Sequence, residues 1–136
     1  MLKTKLIHPE IMAALSRCGH GSKILIADGN YPLAEKSGDA KKVYLGIQPG
    51  LPTVTQVLEA IHSVCEIEKA EVMLPEDGSI PAIFSEFQTE LGGMALDGLS
   101  RYPFYEACMA PGSVYLAIST GEQRTFGNIL LTIGCA

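Results

Sequence analysis

Lys23-Ile24-Leu25-Ile26-Ala27-Asp28-Gly29-Asn30 decides the fold. Ile24 to Ala27 is short, continuous and apolar, and it breaks at once into Asp-Gly-Asn, a turn sequence. A strand that is apolar on both faces must be covered on both faces, so this segment belongs in the middle of a sheet.

Upstream, Pro9 suits the first turn of a helix, and Ile11, Met12, Leu15 and Cys18 recur at helical spacing. The spacing predicts a helix over 9–18, stopped by Gly19 in a left-handed conformation. Downstream, Val43 to Leu45 reads as a short strand and 46–52 as loop. Thr53 with Gln56 matches a capping box, and Val54, Val57, Leu58, Ile61 and Val64 form one apolar stripe behind it. Glu71 to Leu74 reads as a strand. Ser79 is placed to cap a helix that carries Ile83, Phe84, Phe87 and Leu91 and ends at Gly92-Gly93. A strand at 94–96, an Asp97-Gly98 turn and a short helix with Phe104, Tyr105 and Cys108 follow. Two strands, 114–119 and 128–133, close the pattern. Helices alternating with short apolar strands give the α/β class: one three-layer domain over residues 1–136, with a mainly parallel central sheet flanked by helices.

The 136 residues include 10 Lys and Arg against 15 Asp and Glu, for a formal net charge of -5. Charged residues make up 18% of the chain, below the roughly 25% of an average soluble domain. Two causes fit this deficit: subunit faces that lose charge at their centres, and a parallel sheet covered on both sides. A homo-oligomer is therefore expected. Only Arg17, Arg101 and Arg124 supply guanidinium groups, too few for a basic stripe along nucleic acid or an anionic membrane. No stretch has the length of a bilayer span, and Met1-Leu2-Lys3-Thr4-Lys5 lacks a signal-peptide core, so a cytoplasmic location is expected. Cys18, Cys65, Cys108 and Cys135 make no Cys-x-x-Cys pair and read as small buried hydrophobes. His8, His20 and His62 do not stand at metal-ligand spacing, so no metal site is expected.

Four places could carry chemistry. His20 lies between Gly19 and Gly21, an imidazole on a freed backbone that can serve as a general acid or base or simply cap helix carbonyls. A dinucleotide fingerprint is excluded there, because Ile24 replaces its third glycine and the order runs from helix to strand. Asp28 ends the buried strand, where open α/β sheets bind ligands; it can hold sugar hydroxyls or stabilise its own turn. Arg101 stands beside Tyr102, Phe104 and Tyr105, as in many polar-ligand sites or as a surface arginine stacked on a ring. Phe126-Gly127-Asn128 combines a close-approach glycine with an amide that both donates and accepts, although Gly-Asn is also turn chemistry. His62 reads as structural. An extended strand between His20 and Asp28 means that a single site using both needs a curled-back chain or two subunits.

His8-Pro9, Gly19-His20-Gly21, Asp28-Gly29-Asn30-Tyr31-Pro32, Arg101-Tyr102-Pro103-Phe104-Tyr105-Glu106 and Thr120-Gly121-Glu122 to Phe126-Gly127-Asn128-Ile129-Leu130-Leu131, in this order and spacing, resemble the fucose mutarotase and ribose pyranase family. The resemblance covers essentially the whole chain. It implies an α/β fold assembled into a ring-shaped decamer with active sites at subunit contacts, and sugar anomer or ring-form exchange without metal or organic cofactor. An acid protonates the ring oxygen while a base takes the anomeric hydroxyl proton; the ring opens, the aldehyde end rotates, and the ring closes on the other face.

By position, the resemblance makes His20 the proton donor, Asp28 the hydroxyl-binding carboxylate, Arg101 a substrate-binding residue and Phe126-Gly127-Asn128 the C-terminal substrate segment. Tyr105 joins the same pocket. Arg101 with Phe104-Tyr105-Glu106 resembles the fucose branch, whereas the ribose branch has histidine and lysine in place of Arg101 and Tyr105. The family usually carries tyrosine where this chain has Phe126, so one phenol is missing. The expected function is mutarotation of a monosaccharide of L-fucose type. A non-catalytic monosaccharide-binding or regulatory protein is the alternative, and a D-ribose pyranase is the third reading.

Overall fold

The computed structural model describes residues 1–136. Its elements are α1 (Pro9–Leu15), β1 (Lys23–Ala27), β2 (Lys41–Tyr44), α2 (Val54–His62), β3 (Ile67–Met73), α3 (Ile83–Glu90), β4 (Leu96–Leu99), α4 (Arg101–Met109), β5 (Val114–Ser119) and β6 (Ile129–Ile133). The six strands form one sheet in the order β2-β5-β1-β6-β3-β4. β1 pairs in parallel with β5, β5 with β2, and β3 with β4; β6 runs antiparallel to both β1 and β3. The sheet is therefore mixed, with β6 as its one reversed strand. β1 lies mid-sheet, and Ile24 to Ala27 are fully buried, as a strand apolar on both faces requires.

Side chains of alternate parity build two cores. Ile24 and Ile26 of β1, Leu116 and Ile118 of β5, and Ile129 and Leu131 of β6 meet α1, α2 and α3 on one face. Leu25, Ala27, Met73, Ala117 and Leu130 face the other way, onto Phe104 and Cys108 of α4 and onto Tyr31, Leu33 and Ala40 of the segment between β1 and β2. Three helices, sheet, and helix with loop make the three layers.

Local chemistry sets the element ends. His8 caps α1, its Nδ1 accepting from the Ile11 N–H at 3.3 Å, and Pro9 occupies the first helical position. The capping box on α2 is complete: Thr53 Oγ1 accepts from Gln56 N and Gln56 Oε1 accepts from Thr53 N. Several expected boundaries move. α1 stops at Leu15 with Ser16 as its C-cap, and the left-handed glycine is Gly21 (φ 87°), after the turn, not Gly19. α2 ends before Val64, which is exposed. Ser79 spends its hydroxyl on Asp77, at 2.6 Å, and α3 begins after Ala82 without a side-chain cap. Asp97-Gly98 is not a turn but the middle of β4, where an edge strand tolerates both residues. β3 reaches back to Ile67 through Glu68 and Lys69, whose charges hid it; Lys69 is paired with Glu71 at 3.4 Å and with Asp97 at 3.8 Å. Cys108 is buried and Cys18 and Cys65 half-buried, whereas Cys135, beyond β6, is exposed. No helix is long and apolar enough to cross a membrane.

Candidate functional site

β5 and β6 are consecutive in sequence, but β1 lies between them in the sheet. The segment 120–128 must therefore cross over the end of β1, and that end carries Asp28. The crossing is stitched down on both sides. The Gly29 N–H donates to Glu122 O at 2.8 Å, and the Thr120 N–H donates to Ala27 O at 3.1 Å. The Asp28 N–H donates to Asn128 Oδ1 at 2.8 Å, and Asp28 Oδ2 accepts from the Gly127 N–H at 3.1 Å. Asp28 Oδ1 accepts from the Asn30 N–H at 2.9 Å. Both Asp28 carboxylate oxygens thus accept from backbone N–H groups.

A cleft of about 200 Å³ opens here. Asp28, Arg101, Tyr105, Phe126 and Asn128 line it, with Asn30, Tyr31, Met73 and Thr125 completing the wall. It stands at the carboxyl ends of β1 and β3, where α/β sheets place ligands. Arg101 opens α4, is exposed, and sets its guanidinium 5.9 Å from the centre of the Phe126 ring. Tyr105 lies one turn on, half-buried, edge-on to Tyr31 at 5.5 Å and with Lys36 Nζ 5.6 Å from its ring centre. Gly127 is buried and nothing larger fits there: a Cβ would lie 2.9 Å from Arg124 O and 3.1 Å from Glu122 Cγ.

Asp28 is only 3% exposed. Burial pushes its carboxyl above the usual carboxylate range; the N–H groups of Asn30, Gly127 and Tyr31 oppose this, and the nearby charge of Glu122 adds to it. A carboxylate held in this way binds hydroxyls and can exchange a proton nearer neutrality than a free aspartate. Burial also raises the Tyr31 phenol, whose hydroxyl donates to Lys36 O at 2.7 Å and is thereby committed to the fold.

Six of the seven expected site residues meet at this one place: Asp28, Arg101, Tyr105, Phe126 and Asn128 on the wall and Gly127 beneath it. His20 does not. It precedes β1 whereas Asp28 follows it, and five strand residues at about 3.3 Å each separate the two ends by roughly 17 Å. His20 is exposed, with Nε2 2.8 Å from Glu68 Oε2 at the start of β3. His62 meets Glu90 at 3.1 Å and ties α2 to α3, the structural part expected of it.

Sequence reasoning missed Asn30, Tyr31, Met73 and Thr125 as wall residues. Tyr31 follows the Asp-Gly-Asn turn and was within reach of that signal; Met73 and Thr125 carry none. Glu122 was also given no role, although it is one of the few buried carboxylates.

The sequence matches the RbsD / FucU transport protein family over residues 1–136. It is 29% identical over 139 residues to the fucose mutarotase of Bos taurus, covering 95% of this chain and 89% of that one. It is 28% identical over 134 residues to the D-ribose pyranase of Clostridium novyi, covering 98% of each. Among solved structures, the fucose mutarotase of Streptococcus pneumoniae in complex with L-fucose superposes with a TM-score of 0.84 at 23% identity, covering 100% of this chain and 99% of that one, a likeness of fold.

Proposed function

This chain belongs to the RbsD / FucU transport protein family, and from that premise we propose that it is an isomerase acting on a monosaccharide, exchanging its anomers or ring forms by acid/base opening of the hemiacetal. The observation that carries the reading is the cleft under the 120–128 crossing, where Asp28, Asn128 and Arg101 offer a sugar acceptors and donors. Relatives named for fucose and for ribose match about equally well. Arg101 and Tyr105, as in the fucose-type pattern, favour L-fucose or a related sugar over D-ribose.

In the proposed reaction, Asp28 and Asn128 hold hydroxyls of the ring while an acid gives a proton to the ring oxygen. The anomeric hydroxyl loses its proton to a base, the bond from the anomeric carbon to the ring oxygen breaks, and a free aldehyde forms. Rotation about the adjacent C–C bond presents the other carbonyl face, and the same two proton transfers in reverse close the ring. Both transfers depend on matched proton affinity and placement. His20 is the proposed acid. Because it stands at the far end of β1, it reaches a sugar over Asp28 only from a second copy of the chain. That arrangement calls for a homo-oligomer, and a ring-shaped decamer is the form we favour.

Saturation-transfer NMR on equilibrated L-fucose and D-ribose tests the proposal, with wild type, His20→Ala and Asp28→Asn compared. We expect anomer exchange faster than in buffer for wild type, larger for fucose, and lost in both variants. Exchange at the buffer rate for both sugars, with saturable sugar binding, would instead identify a non-catalytic sugar binder.

A further inference from the structure

Two carboxylates are almost wholly buried at the crossing, Asp28 and Glu122, each 3% exposed. The chemistry above uses the first. Glu122 is not part of the sugar-cleft wall and is the most heavily bonded side chain of the segment. Its Oε1 accepts from Arg124 Nε at 2.9 Å and from the Arg124 N–H at 3.1 Å. Its Oε2 accepts from Arg124 Nη2 at 2.9 Å and from the Val54 N–H, at the start of α2, at 3.3 Å. Arg124 in turn pairs with Glu86 of α3. The backbone of the same residue takes the Gly29 N–H, next to Asp28, and its Cγ abuts Gly127, whose N–H bonds Asp28.

A bidentate ion pair with its carboxylate buried and its guanidinium open to solvent is a poor device for stability alone, because desolvating the carboxylate consumes much of the attraction. Its value lies in geometry. A planar guanidinium forked onto a carboxylate fixes direction as well as distance. Through it, one residue connects both helices beneath the crossing to Gly29, the neighbour of Asp28, and to Gly127, whose N–H bonds the Asp28 carboxylate.

We propose that Glu122 is a positioning residue for Asp28: clamped by Arg124 and the first turn of α2, it fixes the crossing over β1 and places a permanent negative charge behind the sugar-binding carboxylate. The charged and titratable groups around the pair are few. Asp28 faces Glu122 from the crossing, Tyr31 from the loop after β1, and Arg101 from α4 in the shared cleft. Glu122 faces Arg124 and, through it, Glu86 on α3, while α2 presents only its N–H. Burial by itself would raise Glu122, but its bonds to Arg124 outweigh this and hold it below the usual range, so it stays charged while Asp28 titrates.

The inference deepens the sugar-binding reading, but its test needs no sugar. The Asp28 carboxyl is followed by 13C NMR through a pH titration, with Asp28→Asn identifying its resonance. Glu122→Gln keeps the side chain's shape and removes the charge; the Asp28 midpoint is expected to fall by about half a pH unit or more. Glu122→Asp keeps the charge on a shorter side chain, and the midpoint is expected to stay nearer the wild-type value. A midpoint unchanged in Glu122→Gln, or lowered as far in Glu122→Asp, would overturn the proposal, since general loosening of the loop acts on both alike. Should Glu122→Gln fail to fold, Glu122→Met supplies the neutral side chain, and an unchanged midpoint there overturns it alone. A second arm measures sugar affinity, expected to weaken in Glu122→Gln; if no sugar binds to wild type, the functional reading fails while the titration still decides this one.

Discussion

Phe126 holds φ at 61°, a left-handed conformation that costs a residue with a Cβ about 1–2 kcal/mol. The strain sits one residue before the Gly127 N–H that bonds Asp28 and two before the Asn128 amide that receives the Asp28 N–H, so it belongs to the bend that aims both groups. Asp28 is the other residue under tension, and its titration gives a prediction about stability. Its folded carboxyl binds a proton more tightly than the unfolded chain does. Its contribution is therefore most favourable below the ordinary carboxylate range and is lost as the pH rises through its folded value. Glu122 has the opposite sign: its contribution is complete above the ordinary range and is lost as the pH falls through its lowered value. Urea denaturation at a series of pH values should then show Asp28→Asn losing less stability than wild type as the pH rises above the ordinary carboxylate range. Parallel curves would mean that Asp28 ionises in the folded protein as freely as in the unfolded one.

At the scale of elements, the crossing is held from outside by Gly121. Its N–H donates to Pro52 O at 2.9 Å, and a Cβ on it would lie 2.5 Å from Gln48 O and 2.6 Å from Leu51 O, both backbone atoms that cannot turn aside. Gly121→Ala should cost about 2 kcal/mol or more in chemical denaturation and also weaken sugar binding, because the crossing must lift to admit the methyl. A variant as stable as wild type would show that the 48–51 loop yields easily. Much of this scale was legible in the chain: β1 from its unbroken apolar run, α2 from its capping box, and the convergence of Asp28 with Asn128 from the order of motifs. Other parts were not. β4 was hidden because Asp97-Gly98 is turn chemistry wherever an edge strand does not pair it, and the first half of β3 because its charges satisfy one another. The clamp on Glu122 was invisible because its partners lie at Val54, Glu86 and Arg124, and no local pattern relates those positions.

Over the whole molecule, the separation of His20 from Asp28 is the decisive fact. If each site takes its acid from one copy and its carboxylate from another, then His20→Ala and Asp28→Asn, each inactive alone, should complement when unfolded, mixed one to one and refolded. Random assembly leaves about a quarter of the sites with both native residues, so about a quarter of wild-type exchange activity should return. Mixtures as inactive as the separate variants would place both residues in one chain's site or remove His20 from the chemistry. Light scattering provides the companion measurement, since a monomer at micromolar concentration is incompatible with a shared site.

The reversed strand β6 has a consequence for how the protein comes into being. β1 and β3 never touch; β6 joins them, and the bonds between Asp28 and residues 127–128 close loops of 99 and 100 positions. Contacts so remote in sequence are slow to form. The cleft is therefore expected among the last features to form, absent from any species in which β6 has not docked. A sugar that binds there stabilises only completed chains, by an amount that grows with its concentration. Ligand present during refolding would thus act as a selector of finished molecules, drawing late intermediates forward by mass action alone.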